Sequence, residues 1–232
     1  MGKRRLEDAL QKIDQPVKIV YRCFELDSTM ERDVGKNIYE KLAEKYGISI
    51  EQAKANCRNI EQMATEVGLD YQFDTLILTN TFNAHRLTML AKSYGLMNEM
   101  AERILRAYFT ESKHIGDHST LIDLAGEVGL NRNKVAAMLA NDSMSEEVRA
   151  DEQEAATLEI RSVPFFLINR KYALTGAQPT EVFVQALQQV MEQDGPYEME
   201  DNMVTGQNRR ENEASAMGGP ACDENGCEIP RK

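Results

Sequence analysis

The stretch 160–175 constrains the fold of this chain more than any other part of its sequence. It contains four consecutive apolar residues, Phe165-Phe-Leu-Ile168, which is the length of a short buried strand. Asn169-Arg170 can form a tight turn, and Tyr172–Thr175 predicts a return strand. Pro179 then opens a segment whose apolar residues form one helical stripe. The sequence therefore predicts a β-hairpin that leads into a helix.

Pro164 occupies the first position of this apolar strand, where a proline removes no essential ladder hydrogen bond. Spacing alone favours an ordinary trans peptide bond, because cis is only about 5% of X-Pro bonds in folded proteins. A cis bond would present the Val163 backbone outward instead of into the sheet.

The N-terminal region predicts one helix and one strand. Residues 3–13 carry apolar side chains on one face and predict a helix with no capping residue before it. Val17–Phe24 is rich in β-forming residues and alternates in part, which predicts a strand.

Residues 28–159 have an almost entirely helical pattern, because apolar residues recur three or four positions apart. Four of the predicted helices end in glycine followed by Leu or Ile, which predicts a left-handed glycine and an apolar residue that folds back on the last turn. Ser143 and Glu146 predict a capping box at the last of these helices. We interpret the region as an insertion that either forms a lid or wall over a site and selects a substrate or partner protein, or only adds to the core. The four helix ends are Gly47-Ile48, Gly68-Leu69, Gly95-Leu96 and Gly129-Leu130.

Composition narrows the classes of function. Hydrophobic residues make up 42% of the 232 residues and charged residues 28%, as is typical of a globular protein. There is no apolar run near 18 residues and no leader-like start, so no membrane association is expected and the expected location is cytoplasmic. The net charge of −11 leaves no basic face for phosphates, so nucleic acid is not an expected partner.

Four cysteines are too few and too scattered for a fold built on disulfides. Cys222 and Cys227 are the only close pair, and the intervening Asn-Gly lets the chain double back, so a small and easily reduced disulfide is feasible there. Nearby acids would raise the pKa values of both thiols. Cys23 and Cys57 lie in predicted regular elements and are expected to be buried and inert.

Several of these segments together resemble the DsbA family, thioredoxin-like proteins with a helical insertion, and most closely its FrnE-like branch of cytoplasmic thiol-disulfide oxidoreductases. Single motifs such as Val163-Pro164 would be weak support, whereas the combination is specific. The segments are Gly2–Leu6, Phe24–Leu26, Val67–Tyr71, Asn80–Phe82, Ala84–Leu87, Tyr108-Phe109, His114–Asp117, Val163–Phe166 and Gly176–Pro179.

The resemblance implies an α/β, thioredoxin-like fold, a cis bond before Pro164, and redox cysteines beside it. In the family a strand and a Cys-x-x-Cys motif precede the first helix, and this sequence has neither. We therefore expect that the chain begins late within a longer protein; true loss in a degenerate relative and deliberate removal are the alternatives. The expected organisation is 1–27 and 160–193 as the two parts of the thioredoxin-like domain, 28–159 as the helical insertion, and 194–232 as a disordered acidic tail.

The resemblance implies a thiol-disulfide oxidoreductase that acts on protein disulfides, with protein or peptide thiols and disulfides as partners and no cofactor. Cys222 and Cys227 are the candidate catalytic residues, and Val163 and Pro164 the candidate substrate-binding residues. No metal site is expected; a zinc site would have to join the tail cysteines to His114 and His118, which are distant in sequence.

Two alternatives remain open. A glutathione-dependent isomerase of the 2-hydroxychromene-2-carboxylate type would bind a glutathione carboxylate at Gly176-Ala177-Gln178, where a helix begins. A non-catalytic relative would hold extended peptides along Val163-Pro164 by strand addition. The sequence gives no indication of oligomeric state.

Overall fold

The computed structural model describes residues 1–194. These residues contain nine helices and two strands. In chain order the elements are α1 (Gly2–Leu10), α2 (Ile38–Tyr46), α3 (Ile50–Thr65), α4 (Phe82–Lys92), α5 (Met97–Phe109), α6 (His118–Glu127), α7 (Arg132–Leu139), α8 (Ser145–Thr157), β1 (Phe165–Ile168), β2 (Tyr172–Thr175) and α9 (Thr180–Asp194).

The predicted hairpin and its closing helix are confirmed. β1 and β2 pair in antiparallel register, with Phe165 opposite Thr175 and Ile168 opposite Tyr172. The Phe183 side chain of α9 is fully buried and meets the ring of Phe166 edge-on, with ring centroids 4.7 Å apart. The apolar stripe of α9 thus covers one face of the hairpin, and α1 packs against α9.

The helices between residues 38 and 157 contribute to three apolar clusters, the smallest of which joins Met89 and Val148 to Cys23. The largest lies among α4, α5, α6 and α7, and the side chains of Leu87, Met100 and Leu121 in it have no solvent-accessible surface. The second joins α2 and α3 to the loop that contains Phe73, Leu76 and Leu78. Burial of apolar side chains is the main stabilising contribution in this part of the chain.

The four predicted glycine helix ends are confirmed, because each glycine has a positive φ. At each end the following apolar residue donates its backbone N–H to a carbonyl five residues earlier, over 2.9 to 3.2 Å. This bond satisfies a carbonyl that the helix itself leaves unpaired, so the glycine sets where the helix stops. The four bonds are Ile48 to Ala43, Leu69 to Ala64, Leu96 to Ala91, and Leu130 to Ala125.

The strand predicted at Val17–Phe24 is wrong, because this segment belongs to no regular element. Its β-forming side chains favour an extended backbone, but a strand also requires a hydrogen-bonded neighbour. The sheet within residues 1–194 consists of β1 and β2 alone. Instead of a ladder bond, the backbone N–H of Cys23 donates to the Asp151 carboxylate of α8 over 2.7 Å.

The capping box predicted from Ser143 and Glu146 is also wrong. The residue before α8 is Met144, with φ 65°, and its side chain does not cap the helix. The Ser143 carbonyl instead accepts a hydrogen bond of 2.9 Å from the buried guanidinium of Arg86, whose other donors reach the Met138 and Asn141 carbonyls. Arg86 of α4 therefore holds the carbonyl of Ser143, while the cap residue Met144 gives the N–H groups of α8 no side-chain acceptor.

Of the expected tail, only Asp194 lies within the described residues, where it ends α9. The prediction of disorder for the rest falls outside the described part of the chain. None of the helices from α1 to α9 has both the length and the apolar composition needed to cross a membrane.

Candidate active site beside Pro164

The first turn of α1 lies directly on Pro164. The peptide bond between Val163 and Pro164 is cis. A β-carbon placed on Gly2 would stand 2.9 Å from the Pro164 ring and 3.1 Å from the tip of the Phe166 ring, closer than such atoms pack. Glycine at position 2 therefore permits the close approach of α1 to the start of β1.

Within the described part of the chain, one edge of β1 has backbone groups that no neighbouring strand pairs. Gly176 donates its N–H to the Pro164 carbonyl over 2.8 Å, so Pro164 faces β2. Because successive residues of a strand point their backbone groups to opposite edges, Phe165 and Leu167 direct theirs away from β2. Within residues 1–194 that edge has no strand partner. The Val163 side chain beside it is 43% exposed and that of Leu167 is 36% exposed.

An aromatic group from the helical region borders the same place. The hydroxyl of Tyr71 lies 3.3 Å from the Met1 backbone nitrogen, just before α1. The Tyr71 ring stacks on Phe109 at the end of α5, with centroids 4.7 Å apart and planes 21° apart, and meets the edge of Phe73 at 5.9 Å. Tyr71 and the end of α5 therefore lie beside the start of α1.

Ion pairs fix α1 to α5. Lys3 Nζ lies 2.9 Å from Glu102 Oε2, and Arg4 pairs with the same carboxylate and with Glu7. Burial by itself would raise the pKa of Glu102, but hydrogen bonds from Lys3 and Arg4 outweigh it and lower that pKa. Glu102 is therefore ionised near neutral pH and balances the cations of the first turn.

The turn before α9 already uses much of its hydrogen-bonding capacity internally. Of its backbone N–H groups, that of Gly176 bonds to Pro164 and that of Gln178 bonds to the Gly176 carbonyl over 3.0 Å. The Ala177 carbonyl accepts from the Arg5 guanidinium. This arrangement braces α1 against the hairpin and leaves fewer donors for a glutathione carboxylate than the sequence suggested.

The two cysteines within the described residues are buried, as predicted. Cys23 and Cys57 are 2% and 1% exposed. Burial, together with the nearby Asp151, raises the pKa of Cys23 to about 12, and burial raises the pKa of Cys57 as well. Neither thiol is a nucleophile near neutral pH. Cys222 and Cys227 lie outside the described residues, so their role stays a prediction.

His114 and His118 contact different partners. His114 Nε2 lies 3.0 Å from Asp33, and His118 Nε2 lies 3.0 Å from the Asn83 amide. The His85 ring lies beside the Phe24 backbone. Burial lowers the pKa of His85, so its imidazole is neutral near pH 7.

Sequence reasoning brought together Val163 and Pro164 but missed Gly2, Tyr71 and Glu102. Gly2 and Tyr71 stand in segments that carry the family resemblance, yet their types and spacing gave no sign of a shared location. The signal was weak because their proximity depends on how α1 and the insertion pack.

A model of DSBA-like thioredoxin domains matches residues 1–188. The chain belongs to the DSBA-like thioredoxin domain family. The expected thioredoxin-like fold, mostly helical with a small sheet, is thereby confirmed. DsbA-like proteins are usually thiol-disulfide oxidoreductases.

Individual relatives agree with the DsbA-like assignment. A probable DsbA oxidoreductase from Streptomyces coelicolor has 35% sequence identity, with 99% of this chain and 92% of that chain aligned and a TM-score of 0.78. A candidate protein disulfide isomerase from Nitrosomonas europaea, at 16% identity, covers 68% of this chain and 90% of its own, with a TM-score of 0.52, and is alike in fold.

A further relative is less similar in sequence, and its match covers a shorter part of this chain. The uncharacterized protein YwbO from Bacillus subtilis is 28% identical over 137 residues, which is 56% of this chain and 65% of YwbO. The match therefore spans just under two thirds of that relative.

Proposed function

We propose that this DsbA-like chain is a thiol-disulfide oxidoreductase that acts on protein or peptide disulfides docked along Val163-Pro164. The observation that supports the proposal is the outer edge of β1, which has no strand partner within residues 1–194 and begins where Pro164 meets the first turn of α1. An extended partner chain can add to such an edge through backbone hydrogen bonds, largely independent of its sequence. The partner's disulfide then lies next to the positive end of α1, which favours a thiolate.

We propose Cys222 and Cys227 as the redox pair of this chain. Asp194 lies at the turn end of the hairpin, because its carboxylate bonds to Asn169 and Lys171. β1 carries the chain about 17 Å from there to Pro164. The 27 residues between Asp194 and Cys222 are enough chain to cover this distance, since a residue can span up to roughly 3.3 Å.

The reaction is two successive thiol-disulfide exchanges. The Cys222 thiolate attacks one sulfur of the partner's disulfide, that S–S bond breaks, and the electron pair leaves on the second sulfur, which takes a proton from water. The Cys227 thiolate then attacks the mixed disulfide and releases the partner's other thiol. The partner becomes a dithiol, the Cys222–Cys227 pair becomes a disulfide, and an external thiol such as glutathione restores it.

The test is the reduction of insulin by the prereduced full chain. Cys222→Ser is expected to abolish it, and Val163→Asp to lower the rate at least about tenfold, because a carboxylate on the edge repels an apolar partner strand. The matched control is Leu26→Asp, at a residue 66% exposed on another segment, which should reduce insulin at the wild-type rate. Reductase turnover that survives Cys222→Ser would show that other thiols carry the reaction.

The same free edge also favours a second candidate function, a non-catalytic peptide binder. In that case Val163→Asp would weaken binding of an extended apolar peptide while the wild type reduced no disulfide. We also propose that the protein is cytoplasmic and belongs to the FrnE-like branch. We propose further that residues 28–159 are an insertion between the two parts of the thioredoxin-like domain.

A further inference from the structure

Residues 22–25 pack on α8 along a buried seam. The backbone N–H of Cys23 donates to Asp151 of α8 over 2.7 Å, and the Cys23 side chain packs with Met89 and Val148. Two residues further along the chain, the Glu25 side chain enters the same seam and is only 1% exposed. A carboxyl group this deeply buried needs a partner for each oxygen, because the loss of its hydration is costly.

Only one oxygen of Glu25 has such a partner among residues 1–194. Oε2 accepts a hydrogen bond of 2.8 Å from Arg149 Nη1, whereas Oε1 is buried and meets no donor. The same Arg149 nitrogen also contacts the Glu152 carboxylate, so one cation lies between two carboxyl groups. The Arg149 guanidinium is placed over the ring of Phe82 of α4, 4.2 Å from its centroid, which fixes this bridge.

A proton on Glu25 would satisfy the unpartnered oxygen. A protonated carboxyl group keeps one oxygen as the acceptor for Arg149 and gains an O–H donor, for which the Glu152 carboxylate is the neighbouring acceptor. Burial raises the pKa of Glu25, and contact with Glu152 raises it further, while the bond from Arg149 opposes this rise without cancelling it. Two carboxyl groups beside one another also resist simultaneous ionisation.

We propose that Glu25 and Glu152 hold one proton between them, and that this proton is a pH-dependent latch that fixes residues 22–25 to α8. When the proton leaves to water, a buried negative charge remains on Glu25 with one oxygen unpartnered, and the seam opens more readily. Because the folded pKa of Glu25 lies above the unfolded one, the stabilisation is complete below about pH 4 and is lost as the pH rises through the folded pKa. The latch does not depend on the proposed redox activity.

The other titratable groups that face the seam differ from Glu25. Burial raises the pKa of Asp151 as well, but both of its oxygens have donors, the Cys23 N–H and the Arg22 guanidinium. On α4, burial lowers the pKa of His85, which weakens the fold at low pH and not at high pH. The remaining charged side chains around the seam are those of Lys92 and Glu154.

The test is amide hydrogen exchange in the full chain, with the intrinsic rate of the Cys23 N–H divided by its observed rate at each pH. This protection factor is expected to fall at least about threefold between pH 5 and pH 8 in the wild type. In Glu25→Gln the side-chain oxygen accepts from Arg149 and its N–H donates to Glu152, so protection should stay high and constant with pH. Glu147→Gln, at an exposed position of α8, is the matched control and should keep the wild-type dependence.

Glu152→Gln is a second, independent variant. Its amide can donate to the ionised Glu25 carboxylate, so Oε1 gains a partner without a proton and the pH dependence should again disappear. A fall in protection that persists in both Gln variants would assign it to another group, such as Asp151, and overturn the latch. An equal fall at the Met100 N–H of α5, or no fall at Cys23 in the wild type, would overturn it too.

Discussion

The helical region from α2 to α8 and the hairpin region around β1 differ in how far their backbone hydrogen bonds are formed and their apolar side chains are buried. In the helical region the four glycine ends are capped by backbone bonds, and side chains such as Leu87 and Leu121 are fully enclosed. At the hairpin, one edge of β1 has no strand partner among residues 1–194, and Val163 and Leu167 remain partly exposed. The first region is built for stability, whereas the second has a surface suited to receiving a partner strand.

Truncation of a leucine in each region is the strongest test of this comparison. Leu121→Ala removes a fully enclosed side chain and is expected to lower the free energy of unfolding by about 3 kcal/mol, through lost burial and the cavity left behind. Leu167→Ala, at a residue already 36% exposed, should cost less than about 1 kcal/mol. Urea unfolding followed by circular dichroism measures both. Equal losses would remove the distinction between the regions.

The glycine helix ends predict a smaller effect. Gly129 has φ 93°, so Gly129→Ala forces a side chain into a left-handed conformation and should cost about 1 to 2 kcal/mol. Gly35 is the matched control, since its φ is not in that region and open space surrounds it. Gly35→Ala should leave stability unchanged or raise it by up to about 1 kcal/mol. The midpoints of thermal unfolding of both variants measure this difference. Equal shifts of the two midpoints would contradict the role of the cap.

The smallest predicted effect is a cap that depends on pH. Asp117 accepts a hydrogen bond of 2.8 Å from the Thr120 N–H at the start of α6, and bonds from Ser119 and Thr120 lower its pKa to about 2. Because the folded pKa lies below the unfolded one, this stabilisation is present above pH 4 and is lost as the pH falls towards 2. Asp117→Ala should therefore cost about 1 kcal/mol at pH 7 and almost nothing at pH 2.

Denaturant midpoints of Asp117→Ala and wild type, measured from pH 7 down to pH 2, check this dependence. Asp14, an exposed carboxylate beyond α1, provides the control. The expected difference for Asp14→Ala is small. A difference for Asp117→Ala that is constant with pH would show that the carboxylate does not cap α6 through its charge.

Much of the fold could be predicted from residues alone. The run Phe165–Ile168 fixed β1, and the Gly-Leu and Gly-Ile pairs fixed where four helices end, because each depends on interactions within a few residues. Burial of Cys23 and Cys57 was likewise predictable from their apolar surroundings. Val17–Phe24 was not, because local β preference could not reveal that the segment lacks a ladder partner among residues 1–194.

By itself, then, the sequence determined the local elements, the order of hairpin and closing helix, and the position of Pro164 at the start of β1. Only the tertiary structure decided that Gly2 rests on Pro164 and that the Tyr71 hydroxyl reaches the same turn of α1. The physical reason is the range of the interactions. Capping and turn formation act over a few residues, whereas the site depends on the packing of segments about 70 and 160 residues apart, which no local pattern encodes.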